Sequence, residues 1–257
     1  MKKIVAVILL ITLMLTSIAG CGKYDAALKG IRDRGVLRVG VKLDVPGLGF
    51  FNQETGEFEG LEIDLARLIA LKILGDENAI EFSGVTTQTK GPMLDNGELD
   101  IVIATYTITE ARKERYNFTQ PYYTDSIGFL VKAGSSMEKM ADMDGKTIGV
   151  MQLTTSEEAI VAEAEKLGID VNLKRHASYP EMKAALVAGE IDAFSADKSI
   201  LTGYEDSDTC ILEEGFNPQH YGIATKLDNR KLSEYLDEFL STIIKDGRYD
   251  EIIDRWS

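Results

Sequence analysis

The stretch LDNGELDIVIAT at 94–105 returns in altered form as LVAGEIDAFSAD at 186–197. Each has the end of an apolar helical pattern, a Gly, the pair Glu-x-Asp and an apolar strand. Each strand stops on a polar residue, Thr105 in one and Asp197 in the other. The repeat extends upstream. GVLRVGV (35–41) and GKTIGVM (145–151) are Gly-led, β-branched runs, each followed by a loop, a helix and the corner. A chain that builds one corner twice builds two similar α/β units, and strands alternating with helices imply mainly parallel sheets with covered faces.

The helices carry their own stop and start signals. In LEIDLARLIALKILG, Leu61, Leu65, Leu68, Ile69 and Ile73 share a face and Gly75 ends it. In the second half, Thr155-x-x-Glu158 reads as a capping box and Gly168 as the stop. SYPEMKAALVAG has Ser178 or Tyr179 at the cap, Pro180 near N1 and Gly189 after the end. The last long helix has apolar residues at 232, 236, 239, 240, 243 and 244 and needs a sheet to cover. If it returns to the first unit, the chain crosses twice, with IGFLVK (127–132) and HYGIAT (220–225) as the natural crossings. The expected organisation is therefore a first lobe of residues 24–128 and 222–257 and a second of 129–221, joined by a two-strand hinge.

The front of the chain differs from the rest. MKKIVAVILLITLMLTSIAGC has two lysines, an apolar run and small residues before a cysteine, the order of a secretory leader (1–20). No later stretch of 18 apolar residues follows. The formal net charge is −14, and the leader's only charges are Lys2 and Lys3, so the mature body is more acidic still. Such a body is a poor partner for nucleic acid. It also makes a local cluster of cations informative.

Ligands of open α/β sheets sit outside the carboxyl ends of strands, so Thr105 and Asp197 are expected to face a cleft between the lobes. Lys42 and Asp44 follow the first strand, Lys90 precedes a short helix that Pro92 can open, and ATYTITEAR brings Thr105, Thr107 and Arg112 together. Across the cleft, MQLTTSEE offers Thr154, Thr155 and free N–H groups at a helix start. Arg112 suits one carboxylate, Lys42 and Lys90 a second, and Asp197 an ammonium. Two carboxylates and one ammonium describe an acidic amino acid.

The strings GVLRVGVKLDVPG, GEFEGLEIDLARLIA, LDNGELDIVIATYTITEAR, YNFTQPYY, DMDGKTIGV, AFSADKSIL and KDGRYDEIIDRW closely resemble those of bacterial extracytoplasmic solute-binding proteins of polar amino-acid ABC transporters (family 3). DVPG and SADKSIL are similar to the aspartate/glutamate-binding branch. The likeness implies a two-lobed, type II periplasmic-binding-protein-like fold, a membrane permease as partner, no cofactor and a monomer. It implies that Arg112, Thr107 and the Thr155 helix start hold the α-carboxylate and that Asp197 pairs with the α-ammonium. Lys42, Lys90 and Thr105 would read the side chain, and Tyr179 would line the second lobe's wall.

Two departures bear on the ligand. Lys90 stands where relatives commonly have arginine. Leu48 stands where many have an aromatic wall, leaving Phe50, Phe51 or nothing in that role. The stretch Ile18–Cys21 resembles a lipobox, which implies diacylglycerol on the Cys21 sulfur, an anchor at the outer face of the membrane (or a periplasmic location) and Cys210 as a lone thiol.

The alternatives are glutamine or cystine as ligand, a sensor or adhesin with the same body, and a dehydratase or lyase on the same fold. For the last, His176 and His220 come with no evident nucleophile motif.

Overall fold

The computed structural model describes residues 26–256; the expected leader and Cys21 lie outside the described residues. Helix α1 (Ala26–Arg34) leads into strand β1 (Leu37–Val41), followed by a small antiparallel sheet of β2 (Asp44–Val45), β3 (Gly49–Asn52) and β4 (Glu57–Glu59). Gly60 opens α2 (Leu61–Leu74) with a φ of 124°, and a Cβ there would lie 2.0 Å from the Leu48 carbonyl oxygen. Only glycine fits that approach. Leu61, Leu65, Ile69 and Ile73 of α2 are buried as their spacing predicts, and Gly75 ends the helix in the left-handed conformation. Then come β5 (Ile80–Gly84), α3 (Lys90–Asp95), β6 (Ile101–Val102), α4 (Glu110–Lys113) and β7 (Tyr116–Phe118).

The second half repeats the pattern with β8 (Tyr123–Lys132), β9 (Thr147–Met151), α5 (Thr155–Leu167), β10 (Asn172–His176), α6 (Tyr179–Ala188), β11 (Ala193–Asp197), α7 (Lys198–Thr202), β12 (Thr209–Ile211) and β13 (Phe216–Tyr221). Strand β14 (Ala224–Lys226) and helices α8 (Arg230–Lys245) and α9 (Arg248–Trp256) complete the chain.

The two sheets share one plan. Strands β5, β1 and β6 are parallel in that order, as are β10, β9 and β11. An antiparallel strand that has just crossed from the other lobe then extends each sheet: β14 pairs with β6, and β8 pairs with β11. The sheets are therefore mixed, each with a parallel core of three strands. The repeated corner does the same work in both. Asp100 accepts the Arg38 amide at 2.8 Å and Asp192 accepts the Thr147 amide at 2.8 Å, pinning each corner to its first strand. Leu99 and Ile191 cap Gly40 and Gly149, where a Cβ would meet their Cδ1 atoms at 2.6 and 2.5 Å.

Helix α8 returns to the first lobe and packs on β14, β7 and α1, with Leu232, Leu236, Phe239, Leu240 and Ile243 inward. Ile244, expected on that face, is exposed. The run 127–132 is not a crossing: it pairs with β11 from Ile127↔Asp197 to Val131↔Ala193, inside the second sheet. Its unbroken apolarity reads equally as a buried central strand, which is what it forms. The crossing comes just before it. There the Tyr122 amide donates to the Tyr221 carbonyl at 2.9 Å, and Tyr123 pairs with Tyr221, so the outgoing and returning strands are bonded to each other.

Candidate functional site

On the first lobe, β1 delivers Lys42, which is buried, with Nζ 2.9 Å from Asp44 Oδ1. The same ammonium lies 5.3 Å from the ring centroid of Tyr179 on the opposite lobe. Lys90 is the first residue of α3; Pro92, expected to open that helix, lies two residues further in. Its Nζ donates to the Ala104 carbonyl at 3.2 Å and sits 3.8 Å over the Tyr106 ring. Burial, then Arg112 and Lys42, push this ammonium well below the usual lysine range.

Thr105 turns the chain after β6 with a φ of 42°, a left-handed conformation unusual for a branched residue. Its amide donates to Glu62 Oε1 at 2.6 Å. Ala104 C=O and Thr105 N–H belong to one peptide unit, so Lys90 and Glu62 grip its two ends. Thr107 is buried, and its carbonyl accepts from Arg112 Nη1 at 2.7 Å. Thr109 caps α4 by accepting the Arg112 amide at 3.2 Å. The guanidinium lies 4.8 Å from the Tyr106 ring, so that one aromatic ring supports both Lys90 and Arg112.

On the second lobe the capping box expected at Thr155 is absent. Thr154 is the N-cap residue, and its hydroxyl donates to the Met151 carbonyl at 2.8 Å. The Thr155 hydroxyl turns instead to Gln219 Oε1 at 2.7 Å, drawn by a buried amide on the hinge strand that needs a donor. The first-turn N–H groups of α5 have no intrahelical partner, and Thr154, Thr155 and Ser156 at that helix start line the cleft. Ser178 does cap α6, accepting the Glu181 amide, and Tyr179 follows it, buried. Asp197 ends β11, buried, and accepts the Tyr221 hydroxyl. Burial pushes its carboxyl up to about 7, against the lowering effect of that hydroxyl.

Lys42, Lys90, Thr105, Thr107, Arg112, Thr155, Tyr179 and Asp197 all line one cavity, together with Thr87, Thr154, Ser156 and Ile200. Leu48, Phe50 and Phe51 are not part of its wall. The space left is about 20 Å³, room for one water molecule and not for an amino acid. The lobes are closed on each other. Tyr204 Oη donates to the Asp44 carbonyl at 2.6 Å, and Thr87 Oγ1 to the Gln152 carbonyl at 3.1 Å. A solute therefore needs them to part. A larger hollow of about 710 Å³ lies along α4, β7 and α8, away from the carboxyl ends of β1 and β11, and among the described residues no buried charges converge there.

Sequence reasoning missed Glu62, Tyr106 and Tyr221. Glu62 is an acid in the first turn of an apolar helix, ordinarily a solvated dipole partner; here it is wholly buried. Its Oε1 also accepts the Tyr122 hydroxyl at 2.5 Å, while Oε2 has no hydrogen-bond partner among the described residues. Burial pushes its carboxyl above the usual range.

Residues 37–257 match the model of the bacterial extracellular solute-binding proteins, family 3. The chain is 33% identical over 270 residues to the ABC transporter glutamine-binding protein GlnH of Bacillus subtilis (strain 168), covering 100% of this chain and 97% of that one. It is 36% identical over 249 residues to a glutamine-binding protein of Geobacillus stearothermophilus, covering 89% and 94%. The fold matches that of an ancestral arginine-binding protein solved with arginine and with glutamine. The glutamine-bound structure has a TM-score of 0.76 at 33% identity, covering 87% of this chain and 98% of the other.

Proposed function

The chain belongs to the bacterial extracellular solute-binding proteins of family 3, and from that premise we propose that it captures glutamine and delivers it to an ABC transporter by lobe closure. Its place as an extracytoplasmic amino-acid receptor comes with the family; the identity of the amino acid is our reading. The observation that carries it is the balance of charge around the cavity.

The acidic ligand expected from sequence sets Lys42, Lys90 and Arg112 against Asp197 alone. Two further carboxylates change that sum: Asp44, 2.9 Å from Lys42 Nζ, and the buried Glu62. In formal charge, among the groups that line the cavity or bond directly to its lining, three cations then face three carboxylates. A zwitterion with a neutral side chain leaves the site balanced, whereas a dicarboxylate brings an uncompensated charge into a closed space. The names of the relatives from Bacillus and Geobacillus agree with a carboxamide ligand. Two lysines beside the side-chain subsite disfavour a cationic solute such as arginine.

In this reading Arg112, Thr107 and the start of α5 hold the α-carboxylate and Asp197 the α-ammonium. Lys42, Lys90 and Thr105 meet the side-chain end, with Tyr179 as the wall. Glutamate is the second reading, favoured by a specific feature: the ammonium groups of Lys42 and Lys90 donate only, which suits a carboxylate acceptor. The protein acts as a monomer held at the membrane by a lipid on Cys21, with the permease as its protein partner. Calorimetry on the leaderless body with glutamine, glutamate, aspartate, cystine and arginine tests the ligand. Glutamine is expected to bind tightest; glutamate in first place would overturn that reading in favour of the second, and aspartate, arginine or cystine in first place would overturn both.

A further inference from the structure

We infer that Glu62 sets the ligand preference of the cavity, by offsetting a lysine charge through the Ala104–Thr105 peptide, although it is not part of the cavity wall. The inference rests on the reading of the cavity as an amino-acid site. Glu62 Oε1 holds the Thr105 N–H at 2.6 Å, and Lys90 Nζ holds the Ala104 C=O of the same peptide at 3.2 Å. The carboxylate and the ammonium are thus fixed on either side of one planar dipole, at the left-handed corner whose Thr105 lines the cavity.

The hydrogen bonds alone do not account for a charged group here. A neutral glutamine oxygen would accept from the Thr105 amide and from the Tyr122 hydroxyl equally well. What glutamate adds is a negative charge, fully buried, with Oε2 unpartnered among the described residues. A buried charge without compensation is costly, and the cations that compensate this one are Lys90 and Lys42, the two expected to read the ligand's side chain. The other titratable groups in its field are the tyrosines Tyr122, Tyr179 and Tyr249. Glu62 therefore competes with a ligand carboxylate for the same lysines. With Glu62 ionised the lysines are partly satisfied and a neutral carboxamide is preferred. Without its charge they are free for an anion.

The test is the ratio of glutamate to glutamine affinity, measured by calorimetry near neutral pH on the wild-type body, Glu62→Gln and Lys90→Gln. Glu62→Gln keeps both hydrogen bonds and is expected to move the ratio toward glutamate by about tenfold or more, the scale of one buried charge near another. Lys90→Gln is expected to move it the opposite way. A positioning role without electrostatic selection weakens both ligands alike, so an unmoved ratio in either folded variant overturns the assignment. A wild-type body that binds neither amino acid removes the underlying reading as well. Binding with an unmoved ratio removes only the role of Glu62.

Discussion

Tyr204 of the second lobe donates its hydroxyl to the backbone carbonyl of Asp44 on the first, at 2.6 Å, while Lys42 holds the Asp44 side chain at 2.9 Å. One residue is thus tied both to the opposite lobe and to a cation of the cavity. Closure and the charge of the site meet at Asp44. Tyr204→Phe keeps the ring packed against Tyr179 and Phe194 and removes only the bond. It is expected to weaken ligand affinity by about 0.5–1.5 kcal/mol, the net value of one such bond. Calorimetry reads the loss, and small-angle scattering of the free protein should show a more open average.

Among the described residues Arg112 is the only guanidinium in the cavity wall, steadied by the Thr107 carbonyl and the Tyr106 ring. Arg112→Ala is expected to lose roughly 2–3 kcal/mol of affinity, about 30–150-fold. Arg112→Lys should recover little, because a point charge does not replace a planar fork. Unchanged binding in the alanine variant would remove Arg112 from the α-carboxylate subsite.

The carboxyl of Asp197 sits near neutrality, so pH acts on binding and on folding with opposite signs. An ammonium needs the ionised form, so affinity should rise as pH climbs through about 7, by up to roughly tenfold per unit below it. For the unliganded protein, the folded state keeps a proton that the unfolded chain has released above the ordinary 3.8. The contribution of Asp197 to stability is therefore complete below that value and lost as pH rises through about 7. Ligand-induced thermal shifts should accordingly grow with pH. Asp197→Asn should flatten both trends.

Gly60 has no room for a side chain, with the Leu48 carbonyl oxygen 2.0 Å from where a Cβ would stand and a φ of 124°. Gly60→Ala is expected to cost about 2–4 kcal/mol of folding stability through strain and backbone displacement. Gly56→Ala nearby has open space around it and only its φ of 74° to strain it, so it should cost less. Denaturant unfolding of both variants makes the comparison.

The features legible in the sequence were those decided by local chemistry. Gly97 and Gly189 turn left-handed after their helices, and Asp100 and Asp192 bind the amides of the first strands, so the repeated corner could be read from spacing alone. Strand ends, with the turns and helix starts that follow them, then brought eight side chains to one cavity. The electrical state of that cavity was not legible. It depends on Glu62 being buried instead of solvated and on Tyr221 reaching Asp197 from a segment 24 residues away, which only packing decides. The start of α5 misled for the same reason: Gln219, distant in sequence, captured the hydroxyl that a local pattern had assigned to a cap. The run 127–132 carried no periodicity to separate a connecting strand from a central one.

The rungs that join Tyr123 to Tyr221 and Thr124 to His220 make a single ribbon of the two connecting segments. A ribbon flexes easily out of its plane, while shearing one edge past the other breaks rungs and twisting strains them all. The two halves therefore have one soft direction of travel, and entry and escape of the solute share a track laid down by the backbone before any side chain meets its guest.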